Sequence, residues 1–309
     1  MTTMTIDKPA EAAAVERVRS QHGLTYQVLD QHDRYKSLER ADKRNYVFKL
    51  AGEIEAVNLK QLVSVPDLAE LAQPYFPKLL DLATLEQTPS ADFSADDILY
   101  GNCSRDHDPK PPAQGLLLEV AGGLVSLKQV RSVYPQGLNP KDMAWIFRRL
   151  MMALGFAHSS GLLHLAINLE NIWIQPEQHG LVLVEWEPAI KQGEILSAPI
   201  NHHRQTVIAP ELIEGCQPTT AADIYMAVSC MREIIAEPMP EKLRTFFNGC
   251  LFEQPSKRPY DAWEVKEEFD QLLEKLWGAR KFRPFAVPQD LKRITPLDPE
   301  QIKTKRKEK

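Results

Sequence analysis

The sequence predicts an α+β chain with its strands first and its helices later, and three observations carry that prediction. Short runs rich in Val, Tyr and Phe, "YQVLD" and "NYVFKLA", fall between Tyr26 and Ala51. Longer segments of the second half, "KDMAWIFRRLMMALGFAHSSG", "TTAADIYMAVSCMREII" and "AWEVKEEFDQLLEKLW", repeat apolar residues at the helical period. Between them, residues 86 to 114 are rich in Pro, Asp and Ser without a sustained period, and read as a loop or insertion.

Taken in order, residues 1–20 are Ala- and Glu-rich without an aromatic residue, and read as a flexible leader with some helical character at "AEAAAVERVRS". The two strand-like runs are separated by the charged stretch "QHDRYKSLERADKR", which reads as the long tip of a hairpin. Asn139 followed by Pro140 is a helix start, and Gly161 a stop. "LVLVEW" is a short strand.

Composition narrows the class. With 309 residues, 43% of them hydrophobic, the chain can bury a substantial core. Four dispersed cysteines without a CxxC pair suggest reduced thiols and neither a zinc site nor a disulfide framework. No stretch approaches the roughly 20 apolar residues of a membrane helix, so the expectation is a soluble, cytoplasmic protein. The net charge of −5 is unevenly spread: from Gly278 onward ten basic residues face four acidic ones, a balance of +6 that leaves −11 on the preceding 277 residues. Prolines 284, 288, 296 and 299 disfavour one continuous helix in this tail and suit an extended strap, which could bind an acidic partner or fold back on its own acidic body. There is no strong nucleic-acid signal.

The stretch "GLLHLAINLENIWI", residues 161–174, followed by "LVLVEWE", resembles the catalytic loop and metal-binding strand of the protein kinases. Other segments resemble that superfamily in the same order. "NYVFKLA" offers Lys49 as the strand lysine, "QPYFPKLLD" follows the expected first helix, and "GLLLEVAGGLVSL" is similar to the hinge. "IAPEL", "TTAADIY" and "PSKRPY" are similar to three late C-terminal motifs. The resemblance covers residues 24 to 277 and implies a two-lobed kinase-like domain, with an N-lobe at 21–119, a C-lobe at 120–277 and the basic tail at 278–309.

The resemblance is degenerate. In the pattern H-R-D-x-x-x-x-N the Asn follows the catalytic Asp by five positions, and Asn171 follows Ala166 by five. Ala166 has no group to orient a hydroxyl or accept its proton. Leu165 stands for the loop Arg and Asn168 for the loop Lys. Glu185 occupies the place of the Mg²⁺-binding Asp, keeping the charge with one more methylene, and Trp186 and Glu187 replace the Phe and Gly that come next. No glycine lies between Gly23 and Gly52, so a phosphate-covering Gly-rich loop is missing. Spacing alone does not say which of Glu53, Glu55 and Glu70 would pair with Lys49.

By resemblance, Glu211 and Arg258 form a buried ion pair, Asp223 holds the catalytic loop, and His164 supports it from the core. Lys49, Asn171 and Glu185 remain candidates for binding nucleotide and metal; each also has a plain reading, as a salt-bridged lysine, a backbone-bonding Asn and an isolated carboxylate. No dedicated metal site is expected, although His202 and His203 invite the question. The preferred expectation is a catalytically inactive pseudokinase that acts as a scaffold or regulator through protein contacts. The alternative is an atypical ATP- and Mg-dependent phosphotransferase using Lys49, Asn171 and Glu185.

Overall fold

A computed structural model of the chain describes residues 15–32, 34–39, 44–88, 112–196 and 207–297. The N-lobe is a closed antiparallel barrel of six strands in the order β1-β2-β3-β4-β6-β5. These are β1 (Val15–Ser20), β2 (Thr25–His32), β3 (Tyr35–Leu38), β4 (Asn45–Lys49), β5 (Lys78–Thr88) and β6 (Ala113–Val120). Helix α1 (Glu53–Leu62) and the short α2 (Pro66–Ala72) connect β4 to β5.

Three expectations are corrected by this barrel. Residues 15–20, read as part of a flexible leader over 1–20, are instead a strand that pairs with β2 on one side and β5 on the other, closing the barrel, while residues 1–14 lie outside the described residues. Its alternation gives the reason: Val18 and Ser20 are buried while Arg17 and Arg19 face solvent, a period of two that a helix could not satisfy. The charged hairpin tip likewise contains a strand of its own, β3. Its Lys36 is buried because Glu16 (2.6 Å) and Gln31 (2.9 Å) accept from its ammonium group. The Pro- and Asp-rich insertion is shorter than read, since β5 runs to Thr88 and β6 begins at Ala113.

Strand alternation also aims the chemistry. Tyr46 and Phe48 of β4 point into the barrel with Val18, Leu38 and Leu117. Val47 belongs instead to the main core between the lobes. Lys49, two residues beyond Val47, therefore faces the interlobe side.

The C-lobe is built on α4 (Pro140–Ser159), which comes after α3 (Leu127–Val133). Asn139 caps α4 by accepting from the Lys141 amide at 3.0 Å. Met143, Ile146, Phe147, Leu150 and Leu154 form its buried face. Around it lie α5 (Pro210–Ile213), α6 (Thr220–Ile234), α7 (Glu241–Cys250) and α8 (Ala262–Trp277). Phe147 packs edge-on against Phe247 and Phe269, at 5.5 and 4.8 Å between ring centroids. Small strands frame the loop of interest: β8 (Leu162–Leu163), β9 (Ile172–Gln175) and β10 (Gly180–Leu183), with β7 (Val125–Ser126) beside β9 and β11 (Ile190–Lys191) beside β8.

After α8 the chain runs extended across its own domain. Phe285, Val287 and Ile294 are buried, and Arg283 pairs with Asp142 at 2.7 Å. Beside the hinge, Ile294 donates to the Leu124 carbonyl (2.8 Å), Gly123 donates to the Thr295 carbonyl (3.1 Å), and the Thr295 hydroxyl donates to the Ala121 carbonyl (2.9 Å). Arg293 pairs with Glu177 of the C-lobe (2.7 Å), while Lys292 reaches Asp30 of the N-lobe (2.7 Å). No helix of the described residues is long and apolar enough to cross a membrane. Cys216, Cys230 and Cys250 are free thiols; Cys103 lies outside the described residues.

Candidate functional site: a self-neutralised interlobe cleft

The loop after β8 is held from below by Asp223 of α6. Its carboxylate accepts from the amides of His164 and Leu165, both at 2.8 Å, and from His158 Nε2 at 3.0 Å. Burial works against the charge of Asp223, but the hydrogen bond and charge of His158 and the loop amides outweigh it and keep the carboxyl below its ordinary pKa. This grip holds Leu165 at φ 58°, a left-handed conformation costly for a branched side chain.

His164 lies fully buried with its ring edge-on to Trp186, at 4.4 Å between centroids. The Ala166 amide donates to its Nδ1 (3.2 Å), so the proton sits on Nε2, which donates to the Val184 carbonyl (2.9 Å). Burial pushes its pKa down to about 4, with Asp223 opposing the shift and Lys49 and His158 adding to it.

Ala166 itself presents a methyl group to the loop, while its carbonyl accepts from Asn171 Nδ2 at 2.7 Å and Asn168 Nδ2 at 3.3 Å. Asn168 Oδ1 in turn accepts from the Glu170 and Asn171 amides at 2.8 and 3.0 Å. The structure thus places the Asn171 amide nitrogen on the loop backbone.

Above the loop, four charges from four segments meet. Lys49 of β4 is completely buried and donates to Glu55 of α1. Its ammonium also lies 3.2 Å from Glu185 Oε2. Arg34, in the turn between β2 and β3, donates to the other oxygen of Glu185 at 2.6 Å. Arg34 also lies 4.0 Å from the more exposed Glu187. The buried groups Lys49, Glu55 and Glu185 carry one excess negative charge, which the partly exposed Arg34 offsets. Burial nonetheless raises the Glu55 pKa, against the opposing pull of Lys49.

Glu185 has φ 71°, and its amide donates to the Tyr35 hydroxyl at 3.1 Å. Glu55 and Asn58, three residues apart on one face of α1, fix the backbone just after Glu185. Glu55 Oε1 accepts from the Trp186 amide (3.0 Å), and Asn58 Nδ2 donates to the carbonyls of Trp186 and Ala189, both at 2.9 Å. The Trp186 indole is buried in the core, donates to the Leu183 carbonyl (2.8 Å) and meets Phe76 edge-on.

Sequence reasoning left Glu55 open beside Glu53 and Glu70, and missed Arg34. Glu55 left a signal only once the helix is known to start at Glu53, which turns Glu55 toward Lys49 while Glu53 stays exposed. Arg34 left none, being one of several charges in a polar stretch. Lower in the C-lobe, Arg258 holds Glu211 through two 2.8 Å hydrogen bonds, both groups buried. Among the described residues no three His, Cys, Asp or Glu side chains are gathered to hold a metal ion. His202 and His203 lie outside those residues.

A barrel N-lobe, a helical C-lobe, and between them a strand lysine, a helix glutamate and a loop gripped by a buried Asp define a protein kinase-like fold. No protein-family model matches the chain. A stretch of 84 residues, 26% of the chain, is 33% identical to casein kinase II subunit alpha' of Saccharomyces cerevisiae, and spans only 22% of that protein. Among solved structures, that of vaccinia related kinase 3 has a TM-score of 0.57 at 14% identity, covering 92% of this chain and 97% of the other. At that identity the likeness speaks for the fold alone.

Proposed function

We propose that this protein is a catalytically inactive, kinase-like scaffold or regulator that works through protein contacts. The observation that carries this reading is the occupation of Glu185: Arg34 sits on one oxygen and Lys49 on the other. A magnesium ion needs carboxylate oxygens at about 2.0–2.1 Å in near-octahedral array, and a guanidinium already stands at the carboxylate in that position. Lys49 is shared by Glu55 and Glu185 and has no surface left for a phosphate. The residues present therefore do not fit a magnesium nucleotide.

Ala166 adds a second, independent loss, because no side-chain atom there can orient an acceptor hydroxyl. A contact surface is available elsewhere: Ile54 and Val57, one helical turn apart on α1, are 64% and 58% exposed.

The test is phosphotransfer from labelled ATP with Mg²⁺ or Mn²⁺, with nucleotide binding measured in parallel by calorimetry. The expected result is no transfer to the protein itself or to generic substrates, and none after Ala166→Asp alone. Labelled phosphate that disappears in both Lys49→Ala and Glu185→Ala would establish the atypical phosphotransferase instead.

A further inference from the structure

A second concavity lies outside the interlobe cleft, and none of Lys49, Ala166, Asn171 or Glu185 lines it. It has a volume of about 920 Å³, lies behind the hinge, where the end of β6, Ala121 and Leu124 line it together with α2, the start of β5, α4, β10 and the N-terminal turn of α8, and falls within the size of small-molecule sites. Its wall is mainly apolar, with Leu68, Phe76, Met152, Phe156 and Leu181 among the lining residues. Trp263 closes one end, edge-on to Phe156 at 4.9 Å. Gly155 is what allows this, since a Cβ there would lie 2.4 Å from the indole.

One charged group of this wall is unanswered. The Arg149 guanidinium donates to the His179 carbonyl (3.0 Å) and the Tyr75 hydroxyl (2.8 Å), and lies 6.0 Å from the Tyr75 ring centroid. Its neighbour Arg148 is paired with Asp270. Among the described residues no carboxylate forms an ion pair with Arg149 or with the nearby Arg280. Burial lowers the Arg280 pKa and the charges of Arg148 and Arg149 add to it, while Asp270, already bound to Arg148, pulls the other way without cancelling the shift. The acids of the wall do not meet this need: Glu119 is answered by Arg44 and Lys78, each at 3.6 Å, and Glu70 is exposed on α2.

We propose that this cleft binds an amphipathic small-molecule carboxylate, with its apolar body on Phe76, Met152, Phe156 and Leu181 and its acid group on Arg149, near Arg280. An apolar floor rewards the body by removing it from water, and a planar guanidinium already oriented by two hydrogen bonds offers its remaining donors to a carboxylate at little ordering cost. This assignment does not depend on whether the interlobe cleft is catalytic.

Calorimetry on the full chain with decanoate, and with decan-1-ol as the neutral counterpart, tests it. Decanoate is expected to bind one per chain and more tightly than the alcohol. Arg149→Met should weaken decanoate roughly tenfold or more while leaving the alcohol unchanged, and Met152→Trp, which fills the cleft, should weaken both. Should Arg149→Met fail to fold, the exposed Arg280→Gln should still weaken decanoate selectively by a few fold. Absence of decanoate binding, equal affinity for acid and alcohol, or indifference of decanoate to these substitutions overturns the proposal.

Discussion

The two lobes handle buried charge in different ways. In the C-lobe, Glu211 faces Arg258 in a two-pronged pair with both partners on the same packed scaffold. Asp223 is satisfied by two backbone amides and a histidine. In the cleft, Glu185 is satisfied by side chains from two separate N-lobe segments, one of them a turn whose Arg34 side chain is still 34% exposed. The first arrangement fixes backbone. The second neutralises a carboxylate at low dielectric, and it does so in part with a residue that is still partly exposed.

The largest way to break this comparison is Arg258→Ala. It leaves Glu211 buried without its partner, and urea denaturation should report a loss of about 3–5 kcal/mol. A transition like that of wild type would mean that the C-lobe pair contributes no more than a surface contact.

Next comes pH. The His164 pKa is about 4 in the folded protein and about 6.5 unfolded. Between those values the unfolded chain binds the extra proton, so stability is full above pH 6.5 and falls as pH drops toward 4, by roughly 3 kcal/mol from this group. Asp223, with its lowered pKa, adds a loss that begins only below its unfolded value of about 4. His164→Gln should flatten the stability profile between pH 6.5 and 4.5.

Smaller still is Arg34→Ala. Because Arg34 is partly exposed and Lys49 remains on Glu185, the expected cost is about 1 kcal/mol. The same substitution sharpens the contrast, for it vacates one oxygen of Glu185: a melting temperature that becomes sensitive to Mg²⁺ only in this variant would show that the guanidinium stands in the place of a cation. The smallest effect is expected from Lys292→Ala, whose exposed pair with Asp30 should contribute no more than about 0.5 kcal/mol and vanish in high salt.

These residues differ in how openly the sequence displayed them. The order of the segments around Lys49, Ala166, Asn171 and Glu185 announced a kinase-like fold, because motif order survives when individual residues change. Glu211, Arg258 and Asp223 were legible for the same reason. The strand at Val15–Ser20 was not, since "VERVRS" has weak local propensity and is a strand only because β2 and β5 flank it. The destination of the basic tail was also open: charge alone allowed an external partner or the chain's own body. Of that tail, residues 279–297 run along the body, and 298–309, with five of its ten basic residues, lie outside the described residues.

What the sequence by itself determined is the α+β order, the alternation that points Lys49 out of the barrel, and the lack of a carboxylate at position 166. These come from local periodicity and from side-chain chemistry, both written residue by residue. Only the tertiary structure decided that Glu55 and not Glu53 meets Lys49, and that Arg34, 151 positions from Glu185 along the chain, closes the ion network. The physical reason is that buried charge is balanced in space: a cation is chosen by distance and desolvation, and neither quantity is visible along the chain until the barrel has closed and brought its turn over the cleft.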